Sequence, residues 1–115
     1  VKLVVIESPL AGDVVRNVAY AKAAMRDCLA RGEAPYASHL LFAQDGILDD
    51  TVPSEREQGI SAGLAWGAKA DLTAVYVDLG TSPGMLRGVA RADDEGRPVE
   101  TRRIPGWQWP PKETP

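Results

Sequence analysis

With 115 residues, 44% of them hydrophobic and 25% charged, the chain reads as one soluble globular domain, large enough for a core without disulfides or metal. A net charge of −3 argues against bulk affinity for polymeric nucleic acid, and no apolar run approaches the ~20 residues of a membrane span. Cys28, the single cysteine, reads as a buried structural thiol in a reducing compartment, which sets the expectation of a cytoplasmic protein.

Residues 2–6 form a continuous apolar run, too short for a signal peptide and typical of a strand buried on both faces of a parallel sheet. Glu7 and the segment Ser8-Pro9-Leu10-Ala11-Gly12 break it. Asp13 then caps a helix expected over 14–30, with Val14, Val18, Ala21, Met25, Cys28 and Leu29 as its apolar stripe and Gly32 as its stop. Residues 34–38 predict a short, proline-containing edge strand, with His39, the only histidine, at its end. Residues 40–52, which include Asp49-Asp50, read as a long connection, and long connections tend to be functional.

A second long helix is expected over 53–69, opened by the capping-box pattern Ser54-Glu55-Arg56-Glu57 and burying Ile60, Leu64 and Ala68. Gly59, Gly63 and Gly67 recur at four-residue spacing along it, which predicts close packing on the sheet or on a partner subunit. Residues 72–77 give a third strand, and residues 83–93 a third helix with Leu86, Val89 and Ala90 inward. Residues 98–104 give a last edge strand. The domain is expected to span 1–104. The Pro- and Trp-rich tail, 105–115, carries Trp107 and Trp109, which need cover from this domain or a neighbouring subunit.

This order predicts an α/β fold: a small, doubly wound, flavodoxin-like parallel sheet of four strands, order 2-1-3-4, with helices on both faces. Ligands of such sheets bind beyond the carboxyl ends of the strands, where the strand order reverses. The 7–13 loop and the segment Asp78-Leu79-Gly80-Thr81-Ser82-Pro83-Gly84-Met85 would meet there, with His39 and the 40–52 loop on the same edge. Ser82 is a candidate N-cap and Pro83 suits a first helical position, so free backbone N–H groups would offer an anion pocket. Gly80, Thr81 and Ser82 would cradle a phosphate, with Gly12, Gly84 and Met85 beside it. Ser8, Asp49 and Asp50 suit ribose hydroxyls, and Arg87 is a further phosphate candidate. Glu7 and Asp78 are the candidate catalytic carboxylates, and His39 is a candidate proton donor on the side of the base. Asp49-Asp50 also suit a plain helix cap, and Arg87 a solvated surface. The residues show no metal-ligand spacing, no Gly-x-Gly-x-x-Gly and no P-loop, so neither a metal nor a dinucleotide cofactor is expected.

Taken together, the residues at 8–13, 38–41, 48–50, 78–85, 88–90 and 96–100 resemble the nucleoside 2-deoxyribosyltransferase-like superfamily. They are closest to short, uncharacterised bacterial and phage proteins related to it. The resemblance implies a flavodoxin-like fold, a homo-oligomer, a nucleoside or nucleotide ligand, and N-glycosidase or transferase chemistry on the base–sugar bond. The chain departs from that pattern where the family carries its nucleophilic glutamate: Met85-Leu86-Arg87-Gly88 contains no acid. Either Glu7, Asp49 or Asp78 supplies the missing carboxylate, or the protein binds a nucleotide or nucleotide-derived signal without cleaving it. An assembly role built on the Trp107/Trp109 tail is a third alternative.

Overall fold

A computed structural model describes residues 1–111; the part of the expected tail at 112–115 lies outside the described residues. Four strands form one parallel sheet, β1 (Leu3–Glu7), β2 (Ala34–Tyr36), β3 (Leu72–Tyr76) and β4 (Val99–Arg102), in the spatial order β2-β1-β3-β4. Val4 pairs with Leu72 and Glu7 with Val75, so the two central strands end at the same level. The helices are α1 (Val14–Ala30), α2 (Ser38–Phe42), α3 (Pro53–Gly67) and α4 (Pro83–Asp94).

Alternation along the central strands divides the molecule. Val4 and Ile6 of β1, with Leu72, Ala74 and Tyr76 of β3, pack against Tyr20, Ala24 and Cys28 of α1. Val5, Glu7 and Thr73 point to the opposite face, where Gly67 of α3, Gly88 of α4 and Arg97 meet them. The face of α1 lies about one residue off the expected stripe. Val14 and Leu29 are exposed, whereas Asn17, Tyr20, Ala21, Ala24 and Cys28 are buried. Asn17 occupies the interior because its amide donates to the carbonyls of Leu10 (2.9 Å) and Ala11 (3.1 Å), replacing the water it gives up.

Beside α1, the same face is closed by irregular chain instead of a helix. Ile104 and Trp107 pack on the core cluster, and Trp107 sets its ring edge-to-face on Tyr20 at 4.9 Å. Trp109 stacks in turn on Trp107, with ring centroids 6.4 Å apart.

Several local expectations are revised. Ser38 leaves the second strand and opens α2, a helix of five residues inside the segment read as a connection. The N-cap of α3 is Val52, not Ser54. Glu55 instead accepts from the Asp49 N–H at 3.1 Å, and Asp49 accepts from the N–H and hydroxyl of Thr51. On α4 the buried positions are Met85, Gly88 and Ala92, with Leu86 exposed. On α3 they are Gly63 and Gly67, while Ile60 and Leu64 are half-buried and Ala68 is exposed. Both helices therefore present mainly small residues inward and leave a gap over the sheet.

The α3 glycines divide by neighbour. A Cβ on Gly63 would fall 2.7 Å from Ser38 Cβ, so α2 rests directly on this position; one on Gly59 would meet Leu48 Cδ1 at an ordinary 3.4 Å. Gly59→Ala is expected to leave the melting temperature unchanged or raise it by a few degrees, since alanine favours a helix interior by about 1 kcal/mol. Gly63→Ala is expected to lower it, because forcing α2 off α3 costs about 1–3 kcal/mol. Thermal unfolding of the two variants side by side checks this, and a stable Gly63→Ala would contradict the contact.

Candidate functional site

The gap between the sheet and the α3–α4 pair is a cavity of about 280 Å³, a volume at the lower end of the range for small-molecule sites. Its walls come from the end of β1 (Glu7, Ser8), from β2 and α2 (Tyr36, Ser38, His39), and from the chain before α3 (Asp50). α3 (Arg56, Ile60, Leu64) and the first turns of α4 (Ser82 to Met85, Arg87, Gly88) complete them. A second hollow of about 330 Å³ continues it outward between α3 and α4, sharing Asp50, Arg56, Ile60, Pro83, Gly84 and Arg87.

Glu7 stands where β1 runs out, its side chain turned to the α4 face. A Cβ built on Gly88 would lie 2.2 Å from Glu7 Oε2, so the carboxyl occupies the space that any other residue at 88 would fill. Burial there pushes the Glu7 carboxyl up to about 8, against the partial opposition of the Arg97 guanidinium. At neutral pH Glu7 is therefore a neutral acid carrying a proton. Arg97 is itself buried, its Nε donating to Thr73 Oγ1 at 2.9 Å and its terminal nitrogens approaching Glu95 at 3.4 Å.

Ser8 Oγ and His39 Nε2 form a hydrogen bond of 3.3 Å within the cavity wall. Burial holds His39 below the usual imidazole range, and the nearby Asp50 charge opposes this only in part. His39 is neutral at pH 7 and able to accept a proton. Ser82 caps α4 as the sequence indicated, its hydroxyl accepting from the Met85 N–H at 3.3 Å, with Pro83 at the first helical position. Arg87 is exposed and tied bidentately to Glu57 of α3, at 2.8 and 3.2 Å, across the outer hollow.

Of the residues singled out in the sequence, the cavity gathers Glu7, Ser8, His39, Asp50, Ser82, Gly84, Met85 and Arg87. Met85 is a buried packing residue. Gly12, Asp49, Gly80 and Thr81 do not line it; Gly12 and Gly80 serve as turn positions with φ of +102° and +82°. Asp78 is also outside it. It shares the parity of Tyr76 along the strand and points to the α1 face. There Oδ2 accepts from the Tyr20 hydroxyl at 2.5 Å and from the Ile104 N–H at 2.9 Å, while its own N–H donates to the Tyr20 oxygen at 2.8 Å. Its carboxylate holds the closing tail to the end of β3. Arg97 and Arg56 received no role from the sequence. For Arg97 the signal was available in Gly96-Arg97-Pro98, a cation fixed in a turn just before a strand. Arg56 was read only as part of a helix cap. Among the described residues, no group of three or more His, Cys, Asp or Glu is placed to hold a metal ion, and no helix is long and apolar enough to cross a membrane.

The chain belongs to the family described as a domain of unknown function (DUF7768), whose model matches residues 2–102. No curated protein is a significant match. Among solved structures it is similar to the 2-deoxyribosyltransferase of the psychrotolerant bacterium Bacillus psychrosaccharolyticus. The TM-score is 0.69 at 15% identity, over 92% of this chain and 75% of that one. That likeness establishes a shared fold.

Because the folded protein keeps the Glu7 proton to about pH 8 while an unfolded glutamate loses it near 4.5, folding takes up a proton between those values. Stability is therefore expected to fall as pH rises from about 4.5 to 8. Glu7→Gln, which cannot ionise, escapes this loss. Its stability should gain on the parent's between pH 5 and pH 9, by on the order of a few kcal/mol at most, seen as a growing difference in melting temperature. Thermal unfolding across that range checks it. A constant difference between the two proteins would mean that Glu7 titrates normally.

Proposed function

We propose that this member of the DUF7768 family binds a nucleoside or nucleotide in the cavity and acts on its base–sugar bond. The observation that carries the proposal is the placement of Glu7: a carboxyl set against Gly88, beside the cavity and at the carboxyl end of a central strand, where burial raises it to about 8. Breaking an N-glycosidic bond leaves electrons on the departing base, and a proton delivered in the transition state lowers that barrier. An acid with a raised pKa suits this step, just as a raised glutamate serves as general acid in glycoside hydrolysis. Glu7 meets the stretch 85–88, where the nucleophile of the deoxyribosyltransferase-like superfamily is missing, from the strand side, as a proton donor and not as a replacement nucleophile.

The dimensions fit the same reading. The half-buried apolar side chains of Ile60 and Leu64 suit the flat face of a base, and Asp50 suits sugar hydroxyls. The first turn of α4 with Arg56, where the inner cavity opens to the outer hollow, suits a phosphate. The fold shared with a 2-deoxyribosyltransferase adds support at the level of architecture.

One observation favours a second reading. With Asp78 committed to Tyr20 and Ile104, the carboxyls left at the inner cavity are Glu7 and Asp50, and neither stands at the α4 position of the superfamily's nucleophile. A binder of nucleotides or nucleotide-derived signals needs no nucleophile there. Incubation with a panel of nucleosides and nucleoside monophosphates separates the two readings, with free base and melting temperature followed on the same samples. The enzyme reading expects base release proportional to time, lost in Glu7→Gln while that variant stays folded. A thermal shift without release would favour the binder. Neither response would overturn both.

A further inference from the structure

We propose that the Ser8–His39 pair is the proton acceptor for an attacking water, so that the base–sugar bond is broken by a single displacement, with inversion at the anomeric carbon and no sugar–enzyme intermediate. The inference rests on the base–sugar reading above and specifies its stereochemistry. Three features on the page lead to it. Ser8 follows Glu7 directly, so the acid and the hydroxyl leave the end of one strand into one cavity. Ser8 is nearly buried, and its Oγ lies 3.3 Å from His39 Nε2, the geometry of a hydroxyl paired with its base. The turns of α4 that line the cavity carry no carboxylate to attack the sugar, since the chain there is Met85-Leu86-Arg87-Gly88 and the space at Gly88 is filled by the Glu7 carboxyl.

Proton affinities separate in the sense that such a division of labour requires. Burial raises Glu7 and lowers His39, so at neutral pH one group carries a proton to give and the other has room to take one. The charged groups around His39 in its cavities are Glu7 from β1, Asp50 and Glu55 from the segment leading into and opening α3, Arg56 from α3, Arg87 from α4 and Arg97 from the turn before β4. Asp50 favours the imidazolium that forms during the reaction.

The step balances as follows. With the ring proton on Nδ1, His39 Nε2 accepts from the Ser8 hydroxyl. The water oxygen bonds to the anomeric carbon as the carbon–nitrogen bond breaks. The water proton passes to Ser8 Oγ while the Ser8 proton passes to His39 Nε2. The Glu7 proton goes to the departing base. The products are the free base and a sugar whose new hydroxyl has the opposite configuration. The remaining Glu7 carboxylate and His39 imidazolium are reset by exchange with solvent.

The test uses the full chain and whichever nucleoside or nucleotide of the panel releases base. Proton NMR in the first minutes should show the α-sugar as the first product of a β-nucleoside. Added methanol should give no methyl β-glycoside, and a second free base should not be incorporated into a new nucleoside. The β-sugar, the methyl β-glycoside or base exchange would overturn the inference and leave the base–sugar reading standing. Absence of base release from the wild type would overturn both. His39→Gln should lower kcat about 100-fold or more with little change in KM, and Ser8→Ala should lower it to a lesser degree. In both variants the acidic limb of the pH–rate profile should be displaced, with melting temperatures near the parent's. A lowered melting temperature with an unmoved acidic limb would mark the pair as structural and overturn the inference.

Discussion

A carboxyl group buried at the end of a central strand needs a wall without a side chain, and Gly88 is that wall. The helix that crosses Glu7 comes so close that one added carbon would overlap the carboxyl oxygens. This approach strips water from Glu7, and the loss of hydration keeps the proton on it. The chemistry assigned to the cavity depends on that contact. Arg97 limits the effect from below: its buried charge, fixed by Thr73, works against the proton without forming a close ion pair with Glu7.

The same economy of side chains shapes the rest of the α3–α4 face. Gly63 and Gly67 let α3 sit against α2 and Val5, while the larger residues of both helices, Met85 apart, are turned aside or half-exposed. Filling this face with leucines would have stabilised the domain by burying more apolar surface. The gap is hydrophobic energy forgone, as is usual where a fold keeps a site open. The opposite face is filled by large side chains. Tyr76, Cys28 and Arg102 pack beneath α1, with Arg102 held bidentately by Glu33 at 2.8 Å on each arm.

The architecture was legible because its signals are strong and local. Two unbroken apolar runs became the central strands, Asp13 and Ser82 capped their helices, and right-handed crossovers leave little choice of strand order. What the sequence concealed was facing. Residues 72–76 are buried on both faces and, Thr73 apart, carry no strongly polar side chain, so their pattern does not say which side Asp78 will take. The pairing of Val4 with Leu72 decides it, and pairing is a tertiary fact. α2 escaped notice because five residues carry too little periodicity, and no side chain caps it. The shift of the α1 stripe came from Asn17 and Tyr20, polar residues taken inward by the carbonyls of the preceding loop and by Asp78, respectively. Arg97 is legible as a charge but not as a buried one, since its burial depends on α3 and α4 lying over it.

The irregular segment that closes the α1 face bears on how the chain is made. Tyr20 is made well before Trp107, which covers its ring, and its hydroxyl bonds to Asp78, whose carboxylate also takes the Ile104 N–H. Until about residue 107 has been synthesised, the nascent chain holds an uncovered aromatic and a sheet lacking its last strand. Such an intermediate is a natural client for chaperones that bind exposed apolar surface. The α1 face of the core is thus complete only once Trp107 is in place.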